Sequence, residues 1–338
     1  CNQHILRLYI PMDNVSIVGI DLAKRSFQLH GADADGSVLF RKKLSRPQLI
    51  SFLRDLPSCI IAMEACATSH HWGREIGKLG HDVRLIPPVY VKPFVKRQKN
   101  DANDAEAIVE AASRPTMRYV SVKSSEQQAQ GMVFRTRDLF VRQRSQLVNA
   151  LRGHLAEYGV VVGQGMVQFR RMIDNFDEAA VSLPGPVQTL CQAYIEHIVL
   201  CDERIEVLDH EIKKRAKADE ATLRLMTITG IGPMCATTLQ AFAPPVEEFS
   251  NGREFAAWCG LVPRQKSTGG RQILGRTSKM GQRDIRRLLI TGAMAVIRWA
   301  MRKGPPPGSW LAKMLARKPR MLVAIALANK LARTVWAL

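Results

Sequence analysis

Paired cysteines, long apolar runs and a leader pattern are all missing from this sequence, and each absence removes a class of protein. The seven cysteines (1, 59, 66, 191, 201, 235 and 259) are odd in number, scattered and never in CxxC spacing. That excludes a disulfide framework and a structural zinc site, and it fits a reducing compartment. No stretch of 18 apolar residues occurs, so no spanning helix is expected. The opening residues, CNQHILRLYIPMDNVSIVG, have neither the charged and apolar regions nor the cleavage pattern of a signal peptide. A cytoplasmic location is therefore expected, and residues 1–12 are read as an extension, not necessarily native, ahead of the first domain. Internal repeats and low-complexity tracts are absent too. Acid is scarcest at the end: residues 251–338 hold 18 Lys or Arg and two acids, Glu254 and Asp284.

What the chain has in excess is positive charge. The formal net charge is +19, and most of it sits in that last quarter. Such a surface attracts a polyanion. A helix lying on a membrane would segregate its bases from large apolar residues. Here the bases mix with Gly, Ser, Gln and Thr, so nucleic acid is the expected partner and a membrane is not. At 338 residues, two or three domains are expected.

Residues 13–118 read as an α/β domain. VSIVGID, SFQLHGA and SVLFRKKL are short β-rich runs, the last two divided by the turn chemistry of ADADG. CIIAME and DVRLI follow as strands, with helical segments near 46–56, 69–79 and from about 101. That order predicts a mixed sheet with an antiparallel side. Residues 119–220 read as a helical, coiled-coil-like region. One helix over 123–158 places Met132, Leu139, Leu147, Leu151, Leu155 and Tyr158 at helical steps. A second, over 186–218, does so with Tyr194, His197, Cys201, Ile205, Leu208 and Ile212. An internal helical hairpin and pairing between chains are both open readings of that pattern. Residues 221–338 read as a mostly α domain. Within it TITGIGPMCATTLQAF has the form helix, Gly-x-Gly turn, helix. Gly230 and Gly232 would let backbone N–H groups approach a phosphate, as in a helix-hairpin-helix binder of the DNA backbone.

Four carboxylates stand out. Asp21 ends the first strand and Glu64 the fourth, while Asp101 and Asp104 lie three apart on the first turn of a helix and so share a face. Carboxylates at strand ends facing a helix pair suit Mg²⁺ or Mn²⁺, which can activate a nucleophile and stabilise a leaving oxygen at a phosphodiester. Each residue also has a structural reading: Asp21 as a turn residue, Asp101 and Asp104 as helix caps. His70-His71-Trp72 lacks metal-ligand spacing and reads as packed or nucleic-acid-facing. Lys96, Arg97 and Lys99, just before the carboxylate pair, could steer a phosphate backbone or form a solvated face.

In LVPRQKSTGGRQILGRTSK, residues 261–279, Ser267 is followed by Thr268, Gly269 and Gly270 and surrounded by Arg264, Lys266, Arg271, Arg276 and Lys279. Glycines allow close approach and bases bind phosphate. No histidine follows His210, so a triad of the hydrolase kind would need a distant base. The spacing alone fits a phosphate-binding loop with an inert serine.

The ordered combination of GIDLAK, MEACATSHHW, KNDANDAEAI, TITGIGP, FAAWCGLVPRQKSTGGR, GRTSKMGQRDIRRLL and ALANKLARTVWAL resembles the insertion-sequence 110 family of transposases, and within it the 1111 subgroup. The resemblance runs from about residue 15 to the end. It implies a RuvC/RNase-H-like N-terminal domain with an Asp-Glu-Asp-Asp tetrad at Asp21, Glu64, Asp101 and Asp104, a coiled-coil middle, and a C-terminal domain with a nucleophilic serine at Ser267, Ser278 being the second candidate. It further implies donor and target DNA as substrates, a structured bridge RNA as guide, and a bacterial, nucleoid-associated setting. Dimers and tetramers would join the tetrad of one protomer to the serine of another. A RuvC-like nuclease or Holliday-junction resolvase, in which water attacks and Ser267 is structural, is the alternative.

Overall fold

The computed structural model describes residues 14–96 and 101–338. They fall into two compact units, one ending at Ser125 and one running from Glu126 to Leu338.

The first unit contains, in order, β1 (Ile17–Leu22), β2 (Ser26–Ala32), β3 (Val38–Ser45), α1 (Arg46–Arg54), β4 (Ile60–Glu64), α2 (Ser69–Gly77), β5 (Asp82–Ile86), α3 (Pro88–Val91) and α4 (Asp101–Ala112). The strands form one sheet in the order β3-β2-β1-β4-β5. β1, β2 and β3 pair antiparallel, while β4 lies parallel to β1 and β5 parallel to β4. The expected mixed sheet is therefore present. Asp33 closes the turn before β3: its carboxylate accepts from the N–H of Asp35 at 3.0 Å and of Ser37 at 2.8 Å. Parallel neighbours need long crossovers, and α1 and α2 sit in those connections. Alternation along the strands splits the apolar residues between two faces. Val18, Ile20, Ile61 and Met63 pack with Leu49 and Leu53 of α1 and Trp72 and Ile76 of α2. Ile17 and Ala62 belong to the opposite core, with Ile108, Val109 and Ala112 of α4. The result is three layers, with α4, joined by Val91 of α3, on the face toward which every second residue of β1 and β4 points.

The second unit begins with two long helices, α5 (Ser125–Glu157) and α8 (Gly185–Ala218), of 33 and 34 residues, or about 50 Å each. The short α6 (Met166–Asp174) and α7 (Phe176–Ala180) lie between them in sequence. Ion pairs join Arg137 to Asp209 and Arg144 to Asp202, and the His154 ring lies 5.7 Å from that of Tyr194. Partners that rise on one helix as they fall on the other make the pair antiparallel, a hairpin within the chain. The α8 seam differs from the expected one in its first half. Cys201, Ile205 and Ile212 are buried as the periodicity predicts, but upstream the buried positions are Cys191, Ile195 and Ile198, and His197 is exposed. On α5, Leu151 and Leu155 are buried while Met132 and Leu139 are exposed, as is Tyr158 just past its end. The reason is the neighbour each segment meets. Near 148–155 and 191–198 the helices enclose Phe169 and Phe176. Farther along, α5 turns Phe134 onto Phe242 and Asp138 onto Arg287. The chain continues through α9 (Glu220–Met226), α10 (Pro233–Phe242), α11 (Gly252–Trp258), a hairpin of β6 (Pro263–Gln265) and β7 (Leu274–Thr277), α12 (Arg283–Lys303), α13 (Trp310–Leu315) and α14 (Arg320–Ala337). α10, α11, α12 and α14 share one core with Phe134 of α5. Among the described residues no helix is long and apolar enough to cross a membrane.

Candidate active site

The acidic residues are placed by β1, β4 and α4. In the parallel pair, Ile17 sits beside Ile60 and Ile20 beside Met63, so Asp21 and Glu64 come one step later at the carboxyl ends of adjacent strands. Ligands of open α/β sheets bind at such ends. Alternation puts both residues on the face of Gly19 and Ala62, the face that α4 covers. That covering is close. A Cβ on Gly19 would lie 2.4 Å from the Ala105 carbonyl oxygen and 2.7 Å from Val109 Cγ2, so only glycine lets the helix approach. The approach sets Asp104, the residue before Ala105, against the strand ends. Asp21, Glu64 and Asp104 are half-buried. Glu64 has its pKa raised from the ordinary 4.5, first by burial and then by the nearby carboxylate of Asp104.

Asp101 is the first residue of α4, one turn before Asp104; its side chain, like Arg97 and Lys99, lies outside the described residues. Among the described residues no group of three or more His, Cys, Asp or Glu is close enough to hold a metal ion. The donor set nevertheless has the chemistry of a hard-cation site. Its oxygens all belong to carboxylates, and those of Glu64 and Asp104 repel each other in a way that a divalent cation would relieve. Of the bases expected to steer a backbone, Lys96 is engaged with Glu106 of α4, which Arg41 also pairs. Trp72 is buried and meets Phe27 edge-on at 5.0 Å, and His70 Nδ1 accepts from the Lys123 N–H at 3.2 Å. His70 and Trp72 are thus packing residues, while His71 is exposed.

The serine segment, expected as a loop, is a β-hairpin. Thr268 and Arg271 exchange backbone hydrogen bonds at 3.2 and 3.0 Å around Gly269 and Gly270, whose φ values are +53° and +77°. Two consecutive positive φ angles are what a two-residue hairpin turn requires, and glycine supplies them without strain. Every residue from Pro263 to Leu274 is exposed. Ser267 Oγ donates to Gln265 Oε1 at 3.2 Å and accepts from the Ile273 N–H at 3.2 Å. Neither partner is a base, so nothing on the hairpin itself activates the hydroxyl. Ser278, by contrast, has its hydroxyl buried without a hydrogen-bond partner. Arg264 turns back to donate to the Ser278 carbonyl at 3.3 Å and braces the root of the hairpin. Lys266, Arg271, Arg276 and Lys279 are exposed.

Between α9 and α10, Gly232 is exposed at the start of α10. Gly230, at φ +100°, is instead pressed on α12, where a Cβ on Gly292 would fall 1.9 Å from its carbonyl oxygen. Burial makes three of the thiols inert: Cys235 and Cys259 are both pushed up to about 12 and Cys59 to about 11. Candidates that the sequence did not single out are Arg253, Trp310, Lys330 and Arg333, which line a groove with Arg276 and Lys279. Lys330 and Arg333 lie three residues apart within ALANKLARTVWAL, a stretch that marks the family resemblance without marking these two side chains.

Comparison with known proteins follows the same two regions. Residues 18–160 match a transposase family of the IS110 type defined by its DEDD domain, and residues 223–305 match the transposase IS116/IS110/IS902 family. A probable family 20 transposase of Pseudomonas aeruginosa is 46% identical over 327 residues, covering 96% of this chain and 97% of its own length. The transposase for insertion sequence element IS1328 of Yersinia enterocolitica is 41% identical over 325 residues, covering 96% and 97%. The transposase for insertion sequence element IS1111A of Coxiella burnetii is 37% identical over 328 residues, covering 97% and 90%.

Proposed function

Because this chain belongs to the IS116/IS110/IS902 family of insertion-sequence transposases, we propose that it cuts and rejoins DNA through a covalent 5′-phosphoserine on Ser267. The observation that carries this reading is the exposed Ser267 on a positively charged hairpin, its hydroxyl hydrogen-bonded to Gln265 and Ile273 and to no general base. Such a hydroxyl is a weak nucleophile until a second group assists it, and the carboxylates of Asp21, Glu64, Asp101 and Asp104 are the set suited to do so. They would hold Mg²⁺ or Mn²⁺, and a divalent cation there supplies polarisation of the scissile phosphate and neutralisation of developing charge. Ser267 Oγ attacks phosphorus and loses its proton. The Oγ–P bond forms as the P–O3′ bond breaks, and the departing 3′ oxygen takes up a proton. The 3′-OH of the partner strand then attacks the phosphoserine, so bond energy is retained and the serine is released. Lys266 and Arg271 bind the phosphate while Arg264 holds the hairpin in place. Gly232 offers the α10 N-terminus to a neighbouring backbone phosphate. A bridge RNA chooses the sequence by base pairing, while the protein holds shape and backbone.

Ser267→Ala is expected to abolish a denaturant-stable protein–DNA adduct and to spare RNA binding. Asp21→Asn is expected to abolish both adduct and cleavage. Continued adduct formation by Ser267→Ala overturns the serine assignment, and metal-dependent cleavage without any adduct replaces it with attack by water.

A further inference from the structure

We propose that the groove along α14, beside the root of the serine hairpin, binds an unpaired stretch of nucleic acid, with its phosphates on Arg276, Lys279, Lys330 and Arg333 and a base stacked on Trp310. The proposal deepens the reading above, since it rests on the hairpin handling nucleic-acid strands. The groove is an open trough of about 1450 Å³ within the second unit, larger than a small-molecule pocket of roughly 300–1,000 Å³. It follows α14 from Leu322 to Trp336, about 20 Å at the helical rise. Its far wall is the hairpin itself, through Pro263 of β6 and Arg276 and Thr277 of β7. Ser267 stands four residues beyond Pro263 on the same rising arm.

Charge and shape together select the occupant. Arg253, Arg276, Lys279, Lys330 and Arg333 line the groove and no Asp or Glu does. None of the five makes an ion pair among the described residues. Between the bases the lining mixes the polar Asn251, Thr277, Asn329 and Thr334 with apolar surface, where Leu322, Ile325 and Trp310 are open to the groove. A ligand must therefore carry repeated negative charge and flat apolar faces at once. A paired duplex hides its base faces, and an acidic peptide offers a flat face only at an occasional aromatic residue, not at every repeat of its charge. An unpaired strand has both, and aromatic rings beside a basic track are how proteins hold one. Lys330 Nζ lies 5.4 Å from the centre of the Trp310 ring. The ring face is thus held by a cation that can turn to an arriving phosphate and leave the face to a base.

The test uses the full chain carrying Ser267→Ala in the presence of chelator, so that binding is read apart from cleavage. The probe is a short fluorescein-labelled single-stranded DNA oligonucleotide containing 5-iodouracil, with the matching RNA strand, the matching duplex and polyglutamate as competitors. Crosslinking is expected at Trp310. Trp310→Ala should weaken strand binding about tenfold with the salt slope unchanged, and Trp310→Phe should restore it. Replacing Lys330 and Arg333 by Ala should flatten the slope by about 0.7 for each phosphate no longer neutralised. Preference for the DNA or the RNA strand assigns the source, and either supports the groove. Unchanged affinity in Trp310→Ala, crosslinks confined to other segments, or displacement of the strand by duplex or polyglutamate as readily as by unlabelled strand overturns it. If that happens while the Ser267-dependent adduct still forms in the otherwise unaltered chain, the cleavage reading stands and the groove alone fails.

Discussion

Glu64 follows three buried residues, Ile61, Ala62 and Met63, and ends the strand half-buried with Asp104 close by. Its ionised form is disfavoured twice, by lost solvation and by like charge. The sign of the stability effect follows. A carboxyl whose folded pKa is raised contributes fully below its ordinary value of 4.5, and that contribution is lost as pH rises through the higher folded value. Glu64→Gln is therefore expected to raise the melting temperature of the metal-free protein at neutral pH, with the gain vanishing below about pH 4.5, while abolishing cleavage. Thermal melts of both proteins across pH check it, and a destabilised Glu64→Gln at neutral pH would contradict the repulsion. The carboxylate was legible in the sequence because a charged residue closing an apolar run is out of place. Its tension with Asp104 was not, because that depends on how near α4 comes.

At the scale of elements, that approach rests on Gly19. Gly19→Ala would set a methyl 2.4 Å from a backbone carbonyl, and overpacking of this kind costs about 1–3 kcal/mol. The first unit should melt several degrees lower, and metal-dependent cleavage should fall with it as Asp104 is displaced. Gly270→Ala on the hairpin offers a contrast. Nothing lies within 4 Å of the added methyl, so the cost is only the strain of a positive φ, on the order of 1 kcal/mol, confined to an exposed turn. Global melting should barely move while adduct formation drops as the hairpin's tip is re-formed. Calorimetry alongside an adduct assay separates the two, and equal loss of melting temperature in both variants would count against this division. The two long helices were legible in the sequence nearly to their ends, since apolar periodicity over thirty residues is a local signal. The face they bury was legible only in part. Tyr194 and His197 were expected in the seam; Tyr194 packs against it half-buried, but His197 is exposed and Cys191, Ile195 and Ile198 fill it, because α6 and α7 bring Phe169 and Phe176 to that end.

For the whole molecule, the two chemical groups belong to different compact units, the carboxylates to the one ending at Ser125 and the serine to the one beginning at Glu126. The composite site that the family resemblance implies, with carboxylates from one protomer and serine from another, would predict complementation. Asp21→Asn and Ser267→Ala proteins, each inactive alone, should form adduct when mixed, because one site then pairs intact carboxylates with an intact serine. The adduct should form on the Asp21→Asn chain, which mass spectrometry of the labelled peptide identifies. No adduct in the mixture, with both proteins folded and associating, would place serine and carboxylates of one active site on one chain.

The sequence by itself determined the order of strands and helices, the placing of Asp21 and Glu64 at strand ends, the concentration of positive charge in the last quarter and the family to which the chain belongs. These follow from local periodicity, from residue type and from ordered motifs, none of which needs a third dimension. Only the tertiary structure decided that the serine segment is an exposed hairpin, that Gly230 is pressed on α12 while Gly232 stays open, and that Arg253, Lys330 and Arg333 gather with Trp310 along one groove. Those facts depend on which surfaces meet, and residues as far apart in the chain as Arg253 and Trp310 carry no local sign that they will line the same wall.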